Sequence, residues 1–155
     1  MKVDVYERAW LWVAAAMIAG FVAALLISAA GHAIHPPSHV ETIDPTTVRV
    51  TGDFVEPRVD LRADGSALVV GLSEMFVFRP GIMRVPAGKP VTFRLTSPDV
   101  IHGFQIVGTN VNATVIPGYV TETTVTFPHP GEFLVVCNEY CGLSHHLMQA
   151  RLIVE

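Results

Sequence analysis

Two regimes of hydrophobic patterning divide the chain. From Ala9 to Val40 there is no Asp, Glu, Lys or Arg, and Trp10–Ala30 is nearly all apolar, with Ser28 the only clearly polar side chain. At about 1.5 Å per residue such a run makes a helix about 30 Å long, which matches the hydrocarbon core of a bilayer. Trp10 and Trp12 stand at its start, where amphipathic rings favour the headgroup level. A cleaved signal peptide is the alternative, with Ser28-Ala29-Ala30 as a weak cleavage site. The run exceeds an ordinary signal core of about 7–15 residues, and Asp4 and Glu7 dilute the basic start, so a retained anchor over residues 1–31 is expected.

Residues 32–45 read as a tether, because Gly31, Pro36, Pro37 and Pro45 stop a helix from continuing. His32, His35 and His39 fall here with no second ligand cluster nearby, and are expected to be solvated or partner-facing. Beyond the tether the period changes to two. Val91-Thr92-Phe93-Arg94-Leu95-Thr96 alternates apolar with polar residues, as a half-buried strand does. Similar strands are expected at Ala67–Leu72, Met75–Phe78, His102–Val107, Val111–Ile116, Thr121–Phe127, Glu132–Cys137 and Gln149–Val154. A short one, Thr47–Thr51, is expected within the otherwise irregular stretch 41–64. Asp64-Gly65, Arg79-Pro80-Gly81, Pro86-Ala87-Gly88, Pro117-Gly118 and Pro128–Gly131 supply the turns. No long amphipathic helix follows residue 40. The predicted architecture is all-β, a sandwich or barrel over residues 46–155 behind one transmembrane helix.

Charge and composition narrow the function. Ten Lys and Arg against 14 Asp and Glu give a net charge of −4, without the broad basic surface of a nucleic-acid binder. Charged residues are only 15% of the 155, fewer than in an ordinary soluble domain, as the apolar anchor requires. Two cysteines exclude a disulfide-rich scaffold. Lys2 and Arg8 lie on the N-terminal side of the anchor and only Arg49 near the other, so the positive-inside rule leans toward a cytoplasmic N-terminus and an exported β-domain.

Both cysteines fall in one segment, Cys137-Asn138-Glu139-Tyr140-Cys141-Gly142-Leu143-Ser144-His145-His146-Leu147-Met148. Soft sulfur ligands with imidazole select copper among common metals. A Cys137–Cys141 disulfide closes too small a loop to stabilise much and leaves His145 and Met148 without a role. Structural zinc has no need of a methionine. Packing of Cys and Met in a core is the third alternative. A mononuclear blue copper site uses one Cys, whereas two thiolates four residues apart can bridge two ions, each then needing one imidazole and a weak axial group. His145 supplies one imidazole, and the best candidate for the second is His102, where a turn hands over to a strand. Met75–Phe78 with Ile82 and Met83 suggests an apolar docking face near the metal, although the i, i+2 spacing of Phe76 and Phe78 fits a core-facing strand equally well.

The spacing Cys-x-Glu-x-Cys-Gly-x-x-His-x-x-Met resembles the dinuclear copper (CuA) loop of cytochrome c oxidase subunit II. Asp44–Arg49, Thr96–Phe104, Gly108-Thr109-Asn110 and Pro130-Gly131-Glu132 resemble the short, single-anchor subunit II of ba-type, B-family heme-copper oxidases. The resemblance implies a cupredoxin Greek-key β-sandwich holding two copper ions. It implies that Cys137 and Cys141 bridge both coppers, that His102 and Met148 complete one, and that His145 and the Glu139 carbonyl complete the other. His146 is not a ligand position in that family, and His129 is given no role. The resemblance also implies a haem-bearing subunit I packed against the anchor, a cytochrome c donor, and a small membrane subunit as a further candidate neighbour. The expected location is the cell membrane, with the copper domain on the outer face. The competing readings are a quinol oxidase subunit II, a nitrous-oxide reductase, a copper chaperone or storage protein, a mononuclear cupredoxin and a structural disulfide domain. The first lacks the ligands that stand here, and the second needs a large additional domain.

Overall fold

The computed structural model of the protein describes residues 4–31 and 41–155. The tether histidines His32, His35 and His39, with Pro36 and Pro37, lie outside the described residues. The chain divides into two compact units, Met1–His39 and Val40–Glu155.

In the first unit, Val5–Gly31 forms one α-helix, α1. Asp4 caps it: its Oδ1 accepts the Tyr6 N–H at 2.8 Å and its carbonyl accepts the Arg8 N–H at 3.0 Å. Ala, Leu and Met favour the helix, and apolar side chains surround it instead of forming one stripe. Val5–Ala30 is long and apolar enough to cross a membrane, and none of the most apolar window is buried.

The second unit is an all-β sandwich. Its strands are β1 (Arg58–Leu61), β2 (Ala67–Glu74), β3 (Val77–Arg79), β4 (Ile82–Val85), β5 (Pro90–Thr96), β6 (His102–Ile106), β7 (Asn112–Val115), β8 (Thr121–Thr126), β9 (Gly131–Val136) and β10 (Gln149–Val154). One sheet has the order β1-β2-β5-β8 with β3 paired to β2, and the other has the order β4-β10-β9-β6-β7. The β2–β5 and β4–β10 pairs are parallel and the rest antiparallel, so the chain crosses repeatedly between sheets in the manner of a cupredoxin.

The core lies between the inner faces. Val69, Val91, Phe93 and Leu95 of the first sheet meet Phe104, Ile106, Val135 and Leu152 of the second, and all are buried. The Phe93 and Phe104 rings lie 5.4 Å apart, and Phe78 meets Phe104 edge-on at 5.7 Å. Burying each such ring contributes about 2–3 kcal/mol.

The strand β2 is buried on both faces, which explains its unbroken apolar run. Its outer face is covered by residues 41–57, where Val48 and Phe54 pack on Val70 and Leu72. Arg94 holds that cover down: its Nη2 donates to Glu41 at 2.6 and 2.7 Å, its Nη1 to Asp53 at 3.3 Å, and its guanidinium lies 5.9 Å from the Phe54 ring centroid.

Several strand expectations are corrected. Thr47–Thr51 is not a strand but part of a turn. Asp44 Oδ1 accepts from the Thr46 N–H and hydroxyl, and the Val50 and Thr51 N–H groups return to the Thr47 carbonyl at 2.8 and 2.9 Å. Local side-chain capping outcompetes the β pattern there. Within Met75–Phe78, Met75 and Phe76 form a two-residue hairpin turn, with Glu74 opposite Val77 and Ser73 opposite Phe78. The strands β1 and β4 went unanticipated. β1 is a short edge strand that turns only Val59 onto the core, and β4 is four residues between two Pro/Gly turns.

A candidate metal centre at one end of the sandwich

The topology brings the chemistry together. β5 ends at Thr96 and returns as β6 at His102, while β9 ends at Val136 and returns as β10 at Gln149. Because β6 and β10 both pair antiparallel with β9, the 97–101 turn and the 137–148 loop project from the same end.

Each ligand candidate is held by identifiable contacts. The Cys137 N–H donates to the Met148 carbonyl at 3.2 Å, closing the loop at its base. His145–Leu147 makes one turn of 3-10 helix, whose last hydrogen bond, Met148 N–H to His145 carbonyl at 3.1 Å, brings Met148 back toward Cys141. Gly142 has φ 132°, a left-handed conformation suited to glycine. A Cβ there would lie 3.0 Å from the Phe76 ring, so this glycine lets the hairpin turn seat against the loop. Gly103 does the same for the other side: a Cβ would fall 1.8 Å from Asn138 Oδ1 and 2.8 Å from the Asn138 nitrogen. Asn138 is fixed in that position by Nδ2 donating to Asn112 Oδ1 at 3.0 Å.

The donor atoms converge. His102, Cys137 and Cys141 are all buried, with ligand atoms within 4.8 Å of one another. The two Sγ atoms are 3.9 Å apart and not bonded as a disulfide. His102 Nδ1 lies 3.9 Å from Cys137 Sγ, and His145 Nδ1 lies 3.5 Å from Cys141 Sγ. Met148 Sδ is 3.7 Å from Cys141 Sγ, and the Glu139 carbonyl oxygen is 3.1 Å from Cys137 Sγ. Each sulfur therefore has one imidazole and one weak donor beside it. His102 and Met148 approach opposite sulfurs, as do His145 and the Glu139 carbonyl. This soft set of thiol, imidazole and thioether donors fits copper.

Electrostatics agree with a cation site. Burial pushes the Cys141 thiol up to about 11, and the adjacent Cys137 adds to the shift. The Cys141 sulfur therefore does not readily carry charge without a cation beside it. His102 is wholly buried, and its Nε2 meets Asp99 Oδ1 at 2.8 Å. Burial pushes the Asp99 carboxyl up. Hydrogen bonds from His102, the Met75 and Val100 N–H groups and Ser97 outweigh that effect and leave the carboxyl below the ordinary carboxylate value.

Other residues singled out in the sequence fall elsewhere. His146 and His129 are exposed. Phe78 and Met83, considered for a docking face, are core residues, because their side chains point between the sheets. Met75, Val77 and Ile82 of that expected face are exposed, and Tyr140, Leu143 and Leu147 of the 137–148 loop add further exposed apolar surface. Tyr140 is 77% exposed and meets the His145 ring edge-on at 5.8 Å, and Leu143 is 91% exposed. Apolar residues in a loop that is not a strand were the signal for this rim. Asp99 and Asn138 were legible only as turn or loop residues, and Gly103 only as a strand glycine.

Comparison with known proteins follows the same lines. The family described as "Cytochrome C oxidase subunit II, periplasmic domain" matches residues 54–154. A Thermus thermophilus protein named cytochrome c oxidase subunit 2 is 39% identical over 154 residues, covering 97% of this chain and 92% of the relative. A second Thermus thermophilus protein of that name is 41% identical over 122 residues, or 77% of this chain and 90% of its own. A chain in the cryo-EM structure of a heme-copper terminal oxidase dimer superposes with TM-score 0.69 at 28% identity, covering 97% of this chain and 99% of its own. The periplasmic domain of cytochrome oxidase subunit II from Bradyrhizobium japonicum superposes with TM-score 0.53 at 23% identity, covering 64% and 86%, and shares the fold. With the family match over most of the β-unit and a relative alike from end to end, the chain belongs to the cytochrome c oxidase subunit II family.

Proposed function

We propose that this chain is the electron-accepting subunit II of a ba-type terminal oxidase and that its site holds two copper ions. Cys137 and Cys141 would hold the two ions through shared thiolates, with His102 and Met148 as further donors to one and His145 and the Glu139 carbonyl as further donors to the other. The observation that carries this reading is the pairing of one imidazole and one weak donor with each of two sulfurs 3.9 Å apart. Two copper ions so held supply a one-electron store whose charge spreads over both metals and both sulfurs.

The protein's part is to keep that store from reorganising. Cys137 leaves the end of β9, His102 opens β6 and Met148 precedes β10, so three ligands are fixed by sheet backbone. Weak donors at Met148 and Glu139 then tune the potential with little geometric change. Residues 46–155 form the copper domain, residues 1–31 the single membrane anchor, and residues 32–45 the tether. Membership of a subunit family implies other oxidase subunits as neighbours. The haem-bearing subunit I is the acceptor, a cytochrome c is the donor, and the copper domain faces outward from the cell membrane. The exposed Met75, Tyr140, Leu143 and Leu147 supply an apolar surface for the donor beside His145.

Copper analysis of the full chain in detergent tests this. Two coppers per chain, with an electron paramagnetic resonance signal shared by both nuclei, are expected. One copper per chain would return the site to the mononuclear cupredoxin reading, and none would remove the metal function.

A further inference from the structure

The β2–β3 hairpin and the cover over β2 bring three charged side chains together. Across the hairpin Leu72 stands opposite Arg79 and Glu74 opposite Val77, so Glu74 and Arg79 share the sheet face that carries Leu72. Residues 41–57 lie over that face. Their Thr47–Thr51 turn, anchored by the buried Val48, delivers Arg49 from 25 positions away. Glu74 is buried, and each of its oxygens is taken by one guanidinium: Arg49 Nε donates to Oε1 at 2.8 Å and Arg79 Nε donates to Oε2 at 3.1 Å. Both arginine side chains are more than half exposed, and their Nη groups meet no hydrogen-bond partner among the described residues. The two arginines line a cleft of about 460 Å3 together with Val55, Pro57 and Leu72. One arginine is enough to neutralise Glu74 and tie the cover down. The second leaves the trio with a net positive charge, and the shared carboxylate fixes both planar forks with their outer donors unused.

We propose that Arg49 and Arg79, clamped by Glu74, form a binding site for a phosphate monoester. A carboxylate has two oxygens and is filled by one guanidinium fork. A phosphate monoester offers three terminal oxygens and a charge of about −1.5 to −2, enough to accept from both forks. The apolar lining from Val55, Pro57 and Leu72 takes the organic part of the ester, and the cleft is within the usual range of about 300–1,000 Å3 for small-molecule sites. A soluble phosphate ester and the headgroup of phosphatidic acid share this chemistry. The inference does not depend on the copper reading, because none of these residues belongs to the metal-ligand set.

The test is isothermal titration calorimetry of phenyl phosphate into the full chain in detergent, at constant ionic strength in chloride. One bound phenyl phosphate per chain is expected. Arg49→Gln and Arg79→Gln should each weaken it by at least about tenfold, since each removes one charge-assisted fork. Arg151→Gln removes a similarly exposed charge elsewhere on the β-unit and should leave binding unchanged. No binding, an equal loss in Arg151→Gln, or benzoate binding as tightly as phenyl phosphate would each overturn the proposal. If the arginine variants do not fold, phenylglyoxal modification of the native chain carries the test. Phenyl phosphate should protect Arg49 and Arg79 but not Arg151, and a lack of selective protection would overturn the site. The same modification separates the two sources. In phosphatidylcholine vesicles containing phosphatidic acid, protection without phenyl phosphate assigns the site to the lipid headgroup, and protection that appears only on adding phenyl phosphate assigns it to a soluble ester.

Discussion

The Cys loop sits on β6 with no room for a methyl group at Gly103, and Gly103→Ala measures how much of the centre depends on that approach. The added Cβ would stand 1.8 Å from Asn138 Oδ1, 2.9 Å from its Cγ and 2.8 Å from its backbone nitrogen. The side chain can swing away, at the expense of its hydrogen bond to Asn112, which contributes about 0.5–1.5 kcal/mol. The backbone nitrogen cannot leave without moving the link between Cys137 and the Glu139 carbonyl, and overpacking of this kind costs about 1–3 kcal/mol. Replacing Gly by Ala within a strand returns about 0.5–1 kcal/mol of backbone entropy. The balance is a destabilisation of about 2 kcal/mol, concentrated at the metal loop. Urea unfolding of the metal-free full chain in detergent reads the stability, and copper content with the copper spectrum reads the loop. Adding Asn138→Gly removes the Oδ1 and Cγ overlaps but keeps the nitrogen, so the double variant should recover only part of the loss, which a double-mutant cycle reports as coupling. A Gly103→Ala chain within about 0.5 kcal/mol of native and with an unchanged spectrum would refute the reasoning, since independent surface changes stay within that range.

Cys137→Ser and Cys141→Ser should each abolish the coupled two-copper signal instead of halving it; a coupled pair surviving in either variant would refute the bridging roles. Met148→Leu roughly conserves volume at a site that is only 2% exposed, so it should keep both coppers and the fold, within about 1.5 kcal/mol, while shifting the potential. An unchanged potential would remove Met148 from the ligand set. Arg94→Ala strips the shared partner from Glu41, Asp53 and Glu122 and the cation from the Phe54 ring; it should cost about 1–3 kcal/mol in urea unfolding and leave the copper spectrum alone.

What the sequence determined by itself were the features that local pattern controls. A charge-free apolar run has one stable form in a bilayer, so α1 was legible from Trp10 to Ala30. Period-two alternation named most of the strands from Val91 onward, since each has one face in the core. The Cys137–Met148 spacing put its candidate donors in one place, because a loop that short keeps them within reach of one another however the rest folds. Tertiary structure decided what depends on distant neighbours. Thr47–Thr51 alternates like a strand, but Asp44 captures its start and Phe54 lies beside it on Leu72 and Val70, so it turns. Met75-Phe76 carries no turn signal because the group holding it, Asp99, is 24 positions away. His102 could be named as a candidate from sequence, but its distance from Cys137 follows only from β6 pairing with β9. Gly103 looks like any strand glycine until Asn138 is seen lying across it. The physical reason is common to all of these. Periodicity reports which face of an element is buried, while the partner that buries it, and the hydrogen bond it leaves to be satisfied, come from chain crossings between the two sheets.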